Sequence, residues 1–154
     1  MQAPLYPVDE EERIEALRAL LVLDSPPEER FDCVTCFRAT AFQVPIALVS
    51  LIDVDRQWFK SAYGLDACET AREVSFCAHA ILDDQVFVIE DALRDRRFVD
   101  NPLVLAPPHI RFYAGAPLKL KNGHRVGTLR LIRSARAGYG SRNGARMSDR
   151  AVNA

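Results

Sequence analysis

The segment Ser75-Phe76-Cys77-Ala78-His79 places a thiol two residues from an imidazole. A cysteine with a histidine in reach is a pairing that can serve as nucleophile and general base. Such a pair also needs a third group to orient the imidazole. On a helix, positions i and i+2 point about 200° apart, and no neighbour is placed to do the orienting. No catalytic residue is therefore assigned. The segment reads as a short helix, either packed structurally or laid over a pocket where His79 or Ser75 offers a ligand a hydrogen bond.

Cys33 and Cys36 form a CxxC, but inside a helical stretch rather than at a strand-to-helix redox turn. Two thiols do not make a zinc site without a second CxxC or a histidine pair, so no metal ligand is assigned. Helical i, i+3 spacing puts both sulfurs on one face, opposite the Phe31, Val34 and Phe42 arc. They read as a thiol pair at a helical dimer interface, with packing inside the monomer as the alternative.

Trp58, Phe59, Phe112 and Tyr113 lie on strand-like stretches, where successive side chains face opposite ways, so about half must be core. Those on a pocket face would line an apolar cavity with polar tips. Asp91, Arg97 and Arg111 are the charged groups expected to reach it. A buried arginine needs an internal salt bridge or an anionic ligand, and the salt bridge comes first. The candidate ligand-binding set is Trp58, Phe76, Cys77, His79, Asp91, Arg111 and Tyr113. No GxGxxG occurs, and Lys121-Asn122-Gly123-His124 reads as a turn, so no phosphate loop and no cofactor are assigned.

These residues need elements to hold them. Residues 9–23 read as a helix with Asp9 as cap, glutamates in the first turn, and Ile14, Leu17 and Leu21 on one narrow stripe. That stripe leans on a neighbour or a second subunit. Ser25-Pro26-Pro27-Glu28 reads as a capping box opening a second helix, with Phe31, Val34, Phe37, Ala41 and Phe42 on one arc and Arg38 awkwardly inside it. Ile46 to Asp53 is apolar on both faces, as in a strand covered on both sides. Gln57–Tyr63, Val86–Glu90, Ile110–Leu120 and Arg125–Ile132 complete the strands, and Asn122-Gly123 predicts a type I′ hairpin. Asp91 to Leu105 reads as loop with a helical turn or two. The order gives an α+β sandwich built on an antiparallel sheet.

At 154 residues and 49% hydrophobic content the chain suits one domain with a real core. A net charge of −1 gives no global field for nucleic acid. Residues 133–154 hold five Arg and one Asp, leaving −5 on residues 1–132; the basic end is expected to be a disordered tail. Four cysteines are few for a disulfide scaffold, so reduced thiols are the default. No run of about 18 apolar residues exists, and acids occupy the N-terminus where a signal peptide needs bases. The expected setting is cytoplasmic, away from membranes.

ERIEALRALLVLDSPPEERFD, PIALVSLIDVDRQWFKSAYGLD, REVSFCAHAIL and IRFYAGAPLKLKNGHRVGTLRLI together resemble GAF domains, in particular those ahead of diguanylate cyclase or histidine kinase domains in bacterial signalling proteins. The resemblance implies a central antiparallel sheet of about six strands, with N-terminal helices on one face and a pocket under a short helix on the other. It implies a regulatory domain over residues 1–132, without enzymatic activity. Such a domain would bind an unidentified small-molecule ligand, form a homodimer through helix 9–23, and act on a cyclase or kinase as output partner. No output domain follows residue 133, so the chain is expected to be a free-standing or truncated module. A pocketless interaction module is the alternative from a different class. A GAF-fold free methionine sulfoxide reductase is the enzymatic alternative, although the Gly-rich cysteine motif of those enzymes is missing. The motif of cyclic-nucleotide-binding GAF domains has no counterpart here, and the surroundings of a bilin-carrying cysteine are absent.

Overall fold

The computed structural model describes residues 1–135. Four helices and six strands follow in the order α1 (Glu10–Ala19), α2 (Glu29–Phe42), β1 (Ile46–Ile52), β2 (Arg56–Tyr63), β3 (Glu69–Ala71), α3 (Phe76–Ala80), β4 (Phe87–Ile89), α4 (Pro102–Leu105), β5 (Ile110–Lys119) and β6 (Arg125–Ser134). The strands form one sheet in the order β3-β2-β1-β6-β5-β4, each neighbour antiparallel. Every residue of β1 is buried, as its two apolar faces require, because helices cover the sheet on both sides. This is the α+β sandwich read from the sequence, with β3 added. The expected tail extends over residues outside those described, and β6 runs two residues past 132.

The two faces carry different cores. Ile46, Leu48, Ile52, Phe59, Tyr113 and Ile132 pack under α3 and α4 with Phe76, Phe98 and Val104. On the other face Leu51, Trp58 and Val126 meet Leu17 of α1, while Ala47 meets Ala39 of α2. Between Val49 and Ser50 the β1–β2 register slips. Lys60 is the extra residue, and the slip turns both Lys60 and Ser61 toward α2. Lys60 Nζ donates to Ser25 Oγ at 2.6 Å and the Pro26 carbonyl at 2.8 Å, and pairs with Glu28 at 2.7 Å. Ser61 Oγ donates to Asp32 at 2.6 Å and shares a 2.8 Å hydrogen bond with Thr35. A β-bulge thus supplies two adjacent side chains, Lys60 to the segment leading into α2 and Ser61 to the helix itself.

Several local expectations are corrected. The first helix stops at Ala19, and Leu21, at φ 54°, is 85% exposed instead of extending the Ile14–Leu17 stripe. Ser25 does not cap α2, which starts at Glu29. Ser25 and Pro26 each precede a proline, which drives them out of the helical region, and the Ser25 hydroxyl is engaged by Lys60 and the Val22 carbonyl. On α2 the buried residues are Thr35 and Ala39, while Val34, Phe37 and Phe42 face outward. The hairpin is not type I′: only Gly123 has positive φ, and its N–H reaches the Leu120 carbonyl at 2.9 Å. That geometry is a type I turn followed by a left-handed glycine. No described helix is long and apolar enough to cross a membrane.

Candidate functional site

Ser75 builds the start of α3. Its Oγ accepts from the Ala78 N–H at 3.2 Å and donates to Gln57 Oε1 at 2.5 Å, so one hydroxyl caps the helix and ties it to β2. Phe76 then enters the core, stacked on Phe98 with centroids 4.0 Å apart and 5.1 Å from the Tyr113 ring. Tyr113 can lie there because its strand neighbour across the pleat is Gly115. A Cβ on Gly115 would stand 2.3 Å from Tyr113 Oη. The phenol donates to Cys77 Sγ at 3.1 Å, and Thr128 Oγ1 donates to the same sulfur at 2.9 Å. Burial pushes the Tyr113 phenol well above its usual pKa, and charge at Cys77 acts in the same direction.

His79 sits at the rim. Its Nε2 is 3.2 Å from the Gln2 carbonyl, and its ring meets the edge of Phe98 at 4.9 Å. Burial lowers its pKa against the opposing hydrogen bond to Gln2, with Arg97 pushing the same way as burial. The N-terminal segment is fastened over this rim, since Gln2 N–H also donates to the Arg97 carbonyl at 3.0 Å.

The structure brings Phe76, Cys77, His79 and Tyr113 together on the α3 face and leaves the other three predicted residues elsewhere. Trp58 points to the opposite face, against Leu17, Leu51 and Val126, because Phe59 takes the inward position of that strand. Asp91 lies at the sheet margin. Its Oδ1 accepts from Leu93 N–H at 3.1 Å, in a shallow depression of about 380 Å³ with Val88, Glu90 and Arg94. Arg111 spends Nη1 on the Val104 and Ile110 carbonyls, each at 3.0 Å, which fastens α4 to β5.

Sequence reading missed the polar centre of this face. Gln57, Thr128 and Arg130 are buried there, and Arg130 Nη1 reaches Gln57 Oε1 at 3.2 Å and Cys77 Sγ at 3.4 Å. The available signal was parity. Thr128, Arg130 and Ile132 alternate on one face of β6, so an apolar Ile132 under α3 places the arginine under α3 as well.

A family model described as GAF domain matches residues 15–149. The chain belongs to the GAF domain family. It is 46% identical over 132 residues to the cyclic di-GMP phosphodiesterase PA2567 of Pseudomonas aeruginosa, a match covering 86% of this chain. The chain spans only 22% of that relative's length. Solved structures share the fold at low identity. The GAF domain of an Acinetobacter phosphoenolpyruvate-protein phosphotransferase has TM-score 0.54 and 14% identity, covering 90% of this chain and 87% of that one. A type II free methionine-R-sulfoxide reductase from Thermoplasma acidophilum has TM-score 0.54 and 12% identity, covering 90% and 89%. The low-identity structures show the fold alone, and the comparisons together show a GAF domain. They also correct the expectation of a protein without enzymatic activity, because the 46% identical relative is named as an enzyme.

Proposed function

We propose that this chain is the regulatory segment of a cyclic di-GMP signalling protein. The 46% identity to a phosphodiesterase of that nucleotide carries the reading. Its input is a small molecule received at the α3 face, where Phe76, Cys77, His79 and Tyr113 converge. Those side chains pack on one another, and Phe76, Cys77 and Tyr113 are fully buried. A ligand must therefore prefer a state in which α3 has parted from β5, and its differential affinity sets how far the population moves. The output is an assembly contact through α2. This favours the second reading too, an interaction module without a ligand, because Val34, Phe37 and Phe42 are exposed apolar side chains on one helix.

The test exchanges the matched 132 residues of the Pseudomonas relative for the corresponding stretch of this chain and measures cyclic di-GMP hydrolysis. Retained hydrolysis that responds to a metabolite panel supports regulation by occupancy. Hydrolysis that is retained but indifferent to every metabolite, in a folded dimer, favours the interaction module. A folded chimera without hydrolysis counts against both.

A further inference from the structure

Residues 2–7 form no helix or strand, yet they cross the rim of the α3 face and touch each piece that frames it. The Gln2 N–H donates to the Arg97 carbonyl at 3.0 Å. The Gln2 carbonyl lies 3.2 Å from His79 Nε2 on α3, and because a carbonyl only accepts, that ring nitrogen carries the proton. Tyr6 covers Arg72, just ahead of α3, with its ring centroid 4.3 Å from the guanidinium carbon. Arg97 in turn precedes Phe98, whose ring stacks on Phe76. One short segment thus ties α3 to the loop beside it and to the turn before it.

Little else holds this segment down. Gln2, Ala3, Leu5 and Tyr6 are exposed, and of residues 2–7 only Pro7 is buried. Its middle bridges a hollow of about 470 Å³, with Ala3, Pro4 and Tyr6 on one side and Asp55, Arg72 and Glu73 on the other. Arg72 is fixed beneath this cover. Its Nη1 is spent on the Glu10 carboxylate and, at 2.9 Å, on the Asp53 carbonyl. Its Nη2 is shut off from solvent and meets no acceptor among the described residues. A buried donor without an acceptor is unfavourable. Lifting Tyr6 admits water to it, so detachment recovers a hydrogen bond that the closed position withholds.

We infer that residues 2–7 are a detachable strap that holds α3 against the sheet, and that its release, peeling back to the buried Pro7, frees α3 and the Phe98 loop to part from the core. With the strap open, His79 and the Arg97 carbonyl turn to solvent, and the Phe76–Phe98 stack loses its outer tie. The opening is local, because the strap takes no part in the sheet's ladders. The strap acts on α3 whether or not a ligand is received there, so it goes beyond the occupancy reading above.

Amide hydrogen exchange of the full chain, followed residue by residue by NMR with no ligand present, tests this. In the wild type the Gln2 amide is expected to exchange at least about tenfold faster than the amides of β1, as local detachment requires. Equal rates would mean that the segment leaves only on global unfolding, and would overturn the strap. Deletion of residues 2–6 is expected to speed exchange at Ala78 and Ile81, the amides closed by Ser75 and Cys77, by about tenfold or more while β1 keeps its wild-type rates. Unchanged rates on α3, or an equal acceleration of α3 and β1, overturn the inference. If the deletion fails to fold, Gln2→Pro removes the donor to the Arg97 carbonyl, and the same amides should quicken by about twofold or more. A metabolite panel that finds no ligand touches none of these outcomes.

Discussion

Gly115 sets where Tyr113 can lie, and through it where α3 rests. The Tyr113 ring crosses the space a Gly115 side chain would fill, with ring atoms at 2.8 and 2.9 Å from that Cβ as well as Oη at 2.3 Å. Gly115→Ala must displace a fully buried ring, so destabilisation of about 1–3 kcal/mol is expected in urea unfolding. Tyr113→Phe keeps the ring and removes one hydrogen bond to Cys77; a loss of about 1 kcal/mol is expected by the same measurement. His79 gives a pH signature. Its folded pKa lies below the unfolded one because burial penalises the charged ring. Stability is therefore full above the ordinary histidine value and declines as pH falls from there toward the folded value. Melting temperatures of the wild type and His79→Gln, followed through that window, should converge toward acid. A parallel pair of curves would contradict the assignment.

At the scale of elements, α2 shows where sequence reading reached its limit. The arc of Phe31, Val34, Phe37, Ala41 and Phe42 is apolar, and apolar arcs ordinarily mark the buried side. Here the docked side is set by small and polar groups. Ala39 packs near Ala47, Asp32 accepts a hydrogen bond from Ser61 of β2, and Thr35 shares one with the same hydroxyl. The bulge that creates those bonds is invisible in periodicity, since it depends on the register of two strands. The outward stripe leads to a prediction. Phe37 is 66% exposed, so Phe37→Glu should change stability by less than about 0.5 kcal/mol. If α2 is the assembly contact, the same change should reduce a dimer to monomer in light scattering. Helix α1 is fixed differently. Arg13 Nη1 donates to the Ile52 carbonyl at 2.7 Å, and Arg13 Nε holds Glu10 at 2.8 Å. Partial burial alone would raise the Glu10 pKa, but hydrogen bonds from Arg13 and Arg72 bring it below the usual glutamate value. Its contribution is present above the unfolded value and lost as pH falls through the folded one. Glu10→Gln should flatten that acid-side loss in a pH series of denaturant melts.

For the molecule as a whole, the central strand told most. Residues 46–52 are apolar in both parities, and that alone required cover on two sides. The short helix could be placed because Ser75 sits where a cap belongs. The composition of the buried polar centre was harder to read. Trp58 and Phe59 are adjacent aromatics, and nothing local says which of them faces α3. Arg130 is one of three arginines in β6, with Arg125 and Arg133, and sequence reading registers only the hairpin there. Phe76 joins α3, the segment bearing Phe98, and β5, so Phe76→Ala should cost about 3–5 kcal/mol in global unfolding. A much smaller cost would mean that the α3 face yields easily, as admission of a ligand requires.

Lys60 has a bearing on how the length of this chain can change. Ser50 pairs with Phe59 and Val49 with Ser61, so excising Lys60 would leave a regular ladder with every remaining partner intact. Elsewhere in β2 the loss of one residue would invert the facing of all that follow. The cost of the excision falls on the clasp to Ser25, Pro26 and Glu28 and on the approach of the ammonium to the Phe31 and Trp58 rings. A version of this domain one residue shorter at that point could keep its sheet unchanged while carrying its second helix more loosely.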